Sequence, residues 1–249
     1  MKPIGHTIIR LDEVESTSTL MLEDSAYLEN HGLVVIARHQ TGGRGRMGRR
    51  WASLPGAQLQ FSLVLHPNLP PEEVPLLSLV SGLAVARALE DVLALSPALK
   101  WPNDVLLGGG KVCGILVEGA PGRGGRPRLV IGIGVNCDGT PGDFPPEVRA
   151  SLTTLAHETG APVDKEALLQ AILAQLNALH ERLAAGDKAA LLAEWSRRAL
   201  LRGHRVRMNA ADGAREGEPV GLTAEGCLII ATDDGGQYAQ LSGELEWLR

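Results

Sequence analysis

The residues with the clearest chemical meaning lie together: Gln40-Thr41-Gly42-Gly43-Arg44-Gly45-Arg46-Met47-Gly48-Arg49-Arg50-Trp51. Guanidinium groups are permanent, forked donors suited to phosphate or carboxylate. The glycines let the backbone turn so that its N–H groups can converge on an anion. Trp51 ends the run with a flat apolar face that can cover a purine or keep water out. Gly43-x-Gly45-x-x-Gly48 matches the dinucleotide fingerprint in letters. That motif opens a helix, however, and here an irregular stretch leads to a strand with no acidic residue at its end. A P-loop needs Lys and Ser/Thr where Arg49 and Arg50 stand. On its own the stretch also fits a plain solvated loop.

Four further groups carry possible chemistry. In Lys100-Trp101-Pro102-Asn103-Asp104, proline fixes a turn, and Asn103 and Asp104 present oxygens just past a strand end. Asp104 can hold Mg²⁺, which takes a few carboxylate oxygens together with substrate phosphate; an Asx turn serving only its own backbone is the other reading. Lys111 starts an apolar strand and can neutralise charge developing on a phosphoryl or carboxylate oxygen, or simply guard a hairpin edge. Gly114 inside that strand costs stability unless something approaches closely. Ile131-Gly132-Ile133-Gly134-Val135-Asn136 puts glycines on one strand face, a floor for a flat ligand or for another packed element, and Asn136 offers both donor and acceptor. Ser16-Thr17-Ser18 serves equally as a helix N-cap.

These groups must be carried by elements that the patterning predicts. Residues 6–11 and 33–38 read as strands, with a helix from Ser16 or Thr17 through 28. Residues 58–65 alternate polar and apolar, as in a strand with one covered face. A long helix spans 71–95. Strand 99–107 is interrupted by the 102–104 turn, and a hairpin leads into strand 111–118. Residues 119–127 form a Gly/Pro/Arg surface loop, 128–135 a strand, and 165–184 and 187–200 two helices. After Arg202, short strands between Gly- and Asp-rich turns predict a small β-barrel. The expected organisation is α+β, a mixed sheet packed with helices in residues 1–201 and the barrel in 202–249.

Composition sets the outer limits. Hydrophobic residues make up 44% and charged residues 21% of 249, which suits a buried core and excludes wholesale disorder. The net charge of −5 and the 3% aromatic content argue against a nucleic-acid-binding module, which needs phosphate contacts and stacking platforms. Cys113, Cys137 and Cys227 lack zinc-site spacing. Their odd number, without a secretory signal, predicts reduced thiols and a cytoplasmic location. No apolar run is long enough to span a bilayer.

Taken together and in order along the chain, Glu15-Ser16-Thr17-Ser18, residues 40–51, 100–104, 111–118 and 131–136, and the barrel after Arg202 resemble the biotin–protein ligase (biotin–[acetyl-CoA-carboxylase] ligase) family. The resemblance implies a class II synthetase-like catalytic domain with a C-terminal SH3-like β-barrel. It implies two steps: biotin and ATP give biotinyl-5′-AMP and pyrophosphate, and a lysine of a biotin carboxyl carrier protein then takes the biotin, leaving AMP. By the resemblance, Ser16, Thr17, Ser18 and Gln40 contact the biotin ring. Arg44, Gly45 and Arg46 fold over biotin and its adenylate, Lys111 meets the biotin carboxylate and α-phosphate, and Gly114 is a close-approach point. Trp51, Asn103, Asp104 and Asn136 fall on the ATP/adenylate side, with Asp104 a candidate Mg²⁺ ligand. Lys111, Arg44 and Arg46 are the expected catalytic set, since joining two anions needs cations aimed at the transition state.

Two positions depart from the family pattern: Ser18 stands where Asn is usual, and Met47 where a basic residue is common. Some members carry an N-terminal helix-turn-helix; the stretch before Ser16 is too short for one, so specific DNA binding is not expected. A homodimer is compatible with the resemblance. The alternatives are a lipoate–protein ligase-type acyl transferase, a nucleic-acid-binding module and, third, a nicotinamide enzyme.

Overall fold

A computed structural model describes residues 2–120, 127–201, 203–210 and 213–248. Seven strands form one mixed sheet: β1 (Thr7–Val14), β2 (Leu33–Gln40), β3 (Gln58–Leu65), β4 (Ala98–Lys100), β5 (Asp104–Leu107), β6 (Gly110–Ala120) and β7 (Arg128–Asn136), in the order β1-β2-β3-β7-β6-β5-β4. β1 and β2 run parallel; every other neighbouring pair is antiparallel.

Helices α1 (Thr17–Glu23) and α2 (Ser25–Leu28) lie on one face. The single helix predicted through residue 28 is therefore two. Asp24 is extended, and its side chain accepts from Ala26 N, so it ends one helix and caps the next. The other face is covered by α3 (Leu76–Leu93) and α6 (Lys165–Ala184), with α7 (Lys188–Arg198) packed against both. α6 keeps its predicted bounds. Asp164 caps it by accepting from Glu166 N and Ala167 N, and Leu169, Ile172, Leu176, Leu179 and Leu183 are buried along one stripe. α3 is shorter than predicted: Pro71–Glu73 forms a separate turn, and Ala94 closes the helix in a left-handed conformation.

The expectation of one covered face for residues 58–65 is wrong, since every residue of β3 is buried. Leu59, Phe61, Leu63 and Leu65 join the main core, and Val64 packs with Met21 under α1. Gln58, Gln60 and Ser62 are buried as well. A central strand flanked by helices on both sides has no solvent face, so its polar residues must find partners inside.

Two short helices, α4 (Pro146–Arg149) and α5 (Leu155–Thr159), fill the region after β7, where no element was predicted. Of the predicted surface loop 119–127, residues 121–126 lie outside the described residues, while Gly119 and Ala120 continue β6. The C-terminal strands β8 (Arg205–Ala210), β9 (Gly213–Leu222), β10 (Leu228–Ala231), β11 (Gln237–Gln240) and β12 (Glu244–Leu248) form a separate antiparallel sheet, ordered β11-β10-β9-β8-β12. β12 was not predicted, although Leu245-Glu246-Trp247 carries the alternation of a strand. The Trp101 indole N–H donates to Gly226 O at 3.1 Å, tying the turn after β4 to the β9–β10 turn.

Candidate active site

One cavity of about 650 Å³ gathers Ser16, Thr17, Ser18, Gln40, Arg44, Gly45, Arg46, Trp51, Asn103, Asp104, Lys111, Gly114 and Asn136. Every residue given a site role from the resemblance thus lines the same space, from segments far apart in the chain.

Its floor is the pair β6 and β7, where Gly114 faces Gly134 across the ladder. The groove left by these glycines holds the Trp51 indole. A Cβ on Gly134 would lie 2.6 Å from the ring, and one on Gly114 would lie 2.9 Å from it, distances no real side chain tolerates. The floor anticipated for a flat ligand is thus built as a bed for Trp51, which itself lines the cavity. The Lys111 ammonium sits 5.6 Å from that ring's centroid, within cation–π range.

The inner end of the cavity is neutral. Gln40 Oε1 accepts from Thr17 N at 2.7 Å and from Thr17 Oγ1 at 3.1 Å. Thr17 Oγ1 lies 2.7 Å from Ser62 Oγ, which lies 2.9 Å from Ser18 Oγ. Gln40 Nε2 donates to Gln60 Oε1 at 2.8 Å, and Gln60 Nε2 donates to Ser53 Oγ at 2.8 Å. Ser16 caps α1 by accepting from Thr19 N. Buried polar groups are costly unless bonded, and a fully bonded set fixes one arrangement.

The outer part is charged. Lys111 Nζ lies 2.6 Å from Asp104 Oδ1, and Arg44 Nη2 donates to Glu118 Oε2 at 2.7 Å. Arg46 Nη1 donates to Asn103 Oδ1 at 3.3 Å, and Asn103 Nδ2 donates to Ile115 O at 2.9 Å. Lys111 is held by its backbone: its N–H donates to Ser151 O at 2.8 Å, and its carbonyl accepts from Thr153 N at 3.1 Å. Asn136 accepts from Gln58 Nε2 and donates to Lys111 O and Thr153 O. Its amide therefore positions the Lys111 strand end.

The Gly/Arg loop is a tight hairpin. Arg44 bridges Arg50, Gly45 N donates to Arg49 O, and Trp51 N donates to Gly43 O. Met47 and Gly48 take left-handed conformations at the tip, with φ of 56° and 73°. At Gly42, Gly45 and Trp51 the backbone N–H groups expected to converge on an anion are instead bonded to carbonyls. No helix follows this loop, as the sequence argued against a dinucleotide fold.

Sequence reading missed several lining residues. Ser62 has the strand-alternation signature of an outward residue, and its burial depends on α1. Phe144, Val148 and Leu152 come from the unpredicted region after β7 and form an apolar wall, while Leu245 and Trp247 come from β12. Burial pushes the Cys113 thiol well up and that of Cys137 to about 12, so neither is a thiolate nucleophile near neutral pH. Among the described residues no group of three His, Cys, Asp or Glu side chains could enclose a metal.

Residues 11–136 match the biotin/lipoate A/B protein ligase family. The chain is 32% identical to the bifunctional ligase/repressor BirA of Bacillus subtilis (strain 168) over 93% of its own length and 71% of the relative's. It is 36% identical to the biotin–[acetyl-CoA-carboxylase] ligase of Mycobacterium tuberculosis over 82% of its own length and 76% of the relative's. The biotin protein ligase from Aquifex aeolicus, solved in complex with biotin and ATP, superposes with a TM-score of 0.85 at 32% identity, covering 98% of this chain and 99% of that one. Family match, relatives and superposed fold agree with the cavity, and the chain belongs to the biotin/lipoate A/B protein ligase family.

Proposed function

We propose that this protein is an ATP-dependent biotin–protein ligase that forms biotinyl-5′-AMP with release of pyrophosphate and then transfers biotin to a lysine of a biotin carboxyl carrier protein. One observation carries the reading: a single cavity joins a neutral, hydroxyl-lined inner end to an outer part holding Lys111, Arg44 and Arg46. That polarity suits an uncharged heterocycle bearing a carboxylate tail that must meet a nucleotide phosphate.

In the first step a carboxylate oxygen bonds to the α-phosphorus as the α–β anhydride bond breaks and pyrophosphate departs. Two anions approach each other, so Lys111 and Arg46 offset charge where it develops. Ser16, Thr17, Ser18 and Gln40 hold the ring, with Gly45 in the covering hairpin and Gly114 giving close approach. Trp51, Asn103 and the wall of Phe144 and Val148 suit the nucleotide side and keep water from the mixed anhydride. In the second step the carrier amine attacks the acyl carbon and AMP leaves. Mg²⁺ fits Asp104, a single carboxylate at the charged part, because this ion is satisfied by one or two carboxylates with phosphate oxygens and water; when bound it neutralises phosphate charge.

We assign residues 1–201 to the catalytic domain and 202–249 to the C-terminal domain. The three free cysteines support a cytoplasmic location. β1, at an edge of the sheet, supports a homodimer formed by edge pairing.

Biotin-dependent exchange of pyrophosphate into ATP, followed by transfer to an apo carrier domain, tests the reading. Exchange with biotin and none with lipoate is expected. Exchange with lipoate alone would make the chain a lipoate ligase, since a dithiolane has no polar ring edge for the hydroxyl-lined end.

A further inference from the structure

At the inner end of the cavity, hydrogen-bond direction follows from donors that admit no choice. Thr17 N can only donate, so the Gln40 atom 2.7 Å away is the amide oxygen. Gln40 Nε2 then faces Gln60 Oε1, and Gln60 Nε2 faces Ser53 Oγ, which also accepts from Gln40 N at 3.3 Å. With Gln40 Oε1 fixed as an acceptor, the Thr17 hydroxyl 3.1 Å away must donate to it; two oxygens at that spacing without a proton repel. Thr17 Oγ1 then receives its 2.7 Å bond from Ser62, and Ser62 its 2.9 Å bond from Ser18. Each hydroxyl carries one proton, so the relay runs Ser18 to Ser62 to Thr17 to Gln40, and all three protons are committed.

We propose that Ser62 is a specificity-determining positioning residue: it polarises the Ser18–Ser62–Thr17 relay so that these three hydroxyls offer a ligand only lone pairs and select ring N–H donors. The proposal rests on the biotin ligase reading and deepens it. Ser62 is itself fully buried at the strand position opposite Gly132. Gly132 is part of the device: a Cβ there would lie 2.7 Å from Ser18 Oγ, so only glycine lets Ser18 reach Ser62. Ser16 complements the relay. Its Oγ accepts from Thr19 N at 3.3 Å, and among the described residues its proton meets no acceptor. One free donor beside a row of acceptors is the complement of a cyclic urea, whose carbonyl accepts and whose two N–H groups donate.

The test is ligand discrimination. Affinities of the whole chain for biotin and for the two cyclic carbamate analogues, each with one ring N–H replaced by oxygen, are measured by titration calorimetry, beside exchange kinetics and thermal midpoint. The unsubstituted protein should reject at least one carbamate strongly, because an oxygen there meets lone pairs. In Ser62→Ala the Ser18 proton is released toward the cavity. Biotin KM should rise about tenfold, kcat should change less than about twofold, and the biotin-to-carbamate preference should narrow by about tenfold. Equal weakening of biotin and carbamate would mark Ser62 as merely structural and overturn the proposal. Should Ser62→Ala fail to fold, Ser18→Ala removes the outermost acceptor and must narrow the same ratio; an unchanged ratio there also overturns it. A parent protein that exchanges pyrophosphate only with lipoate refutes the ligase reading itself, whereas biotin binding with an unaltered ratio refutes the relay alone.

Discussion

The two ends of the cavity are stabilised in opposite ways. At the inner end, Thr17, Ser62, Gln40 and Gln60 bond to one another in a single arrangement, and Thr17, Ser62 and Gln60 are at most 2% exposed. Nothing there has to move to receive a neutral ring. At the outer part each mapped cation already has an acceptor: Lys111 on Asp104, Arg44 on Glu118, Arg46 on Asn103. An incoming phosphate or carboxylate must share or replace those partners. The inner end is therefore a preorganised mould, and the outer part is a set of charges held in reserve by weaker, half-exposed pairs. Breaking the first should cost stability and ligand affinity together, and breaking the second should cost rate with little effect on folding.

The largest effect is expected at Lys111. Lys111→Ala should lower kcat for biotin-dependent pyrophosphate exchange by roughly a hundredfold to a thousandfold, the scale seen for removing one donor aimed at developing charge. Its backbone bonds to Ser151 and Thr153 survive the substitution, so the thermal midpoint should stay close to that of the parent. A large drop in midpoint with retained exchange would reverse the contrast between the two ends.

Gln60→Leu addresses the inner end. It removes the acceptor of Gln40 Nε2 and the donor to Ser53 inside a fully buried strand. Leaving such groups unsatisfied costs about 1–3 kcal/mol, which for a chain of this size lowers the midpoint by roughly 2–4 °C per kcal/mol. Biotin affinity should fall about tenfold, since Gln40 is no longer oriented toward Thr17. Calorimetric melting and biotin titration on one sample check both effects, and loss of affinity without loss of stability would show that the end is not a single bonded unit.

The contrast also explains what was legible in the sequence. Charged and glycine-rich features announce themselves: Arg44, Arg46, Lys111 and Asp104 stand at turns and strand starts, where each alone also fits a solvated loop, an Asx turn or a guarded edge, and it is their combination along the chain that reads as a site. The paired glycines of β6 and β7 could be read as a bed, though not that Trp51 would occupy it, because their meeting depends on ladder register. The neutral end was legible only in part: Ser16, Thr17, Ser18 and Gln40 were readable, and the residues that hold them were not. Ser62 and Gln60 look like the wet face of an amphipathic strand, and only the packing of α1 over β3 makes them interior. The split at Asp24 escaped because Leu20, Leu22 and Leu28 keep an apolar pattern across the break. The wall from Phe144 to Leu152 lies in elements too short for periodicity to register. Chemistry carried by motifs contiguous in the chain was readable; partners supplied only by tertiary contacts, such as Ser62 and Gln60, were not.

The smallest effect separates reserve from function at the outer part. Glu118 is a quarter exposed and holds the Arg44 guanidinium at 2.7 Å. If that pair stores a cation for the ligand, Glu118→Gln should release it and tighten binding of the anionic adenylate. The gain should be modest, about twofold to fivefold, because partly exposed ion pairs are worth well under 1.4 kcal/mol. It should also shrink as salt is raised, since screening weakens the competing carboxylate and the ligand contact alike. Titration of a non-hydrolysable adenylate analogue at low and high salt reads both. Arg44→Gln should move the affinity the other way, and the double substitution should resemble Arg44→Gln alone, because Glu118 acts only by occupying Arg44. Weakened binding in Glu118→Gln would instead mean that the carboxylate aims the guanidinium at the ligand. The outer part would then be preorganised like the inner one, and the difference between the two ends would be one of charge and not of rigidity.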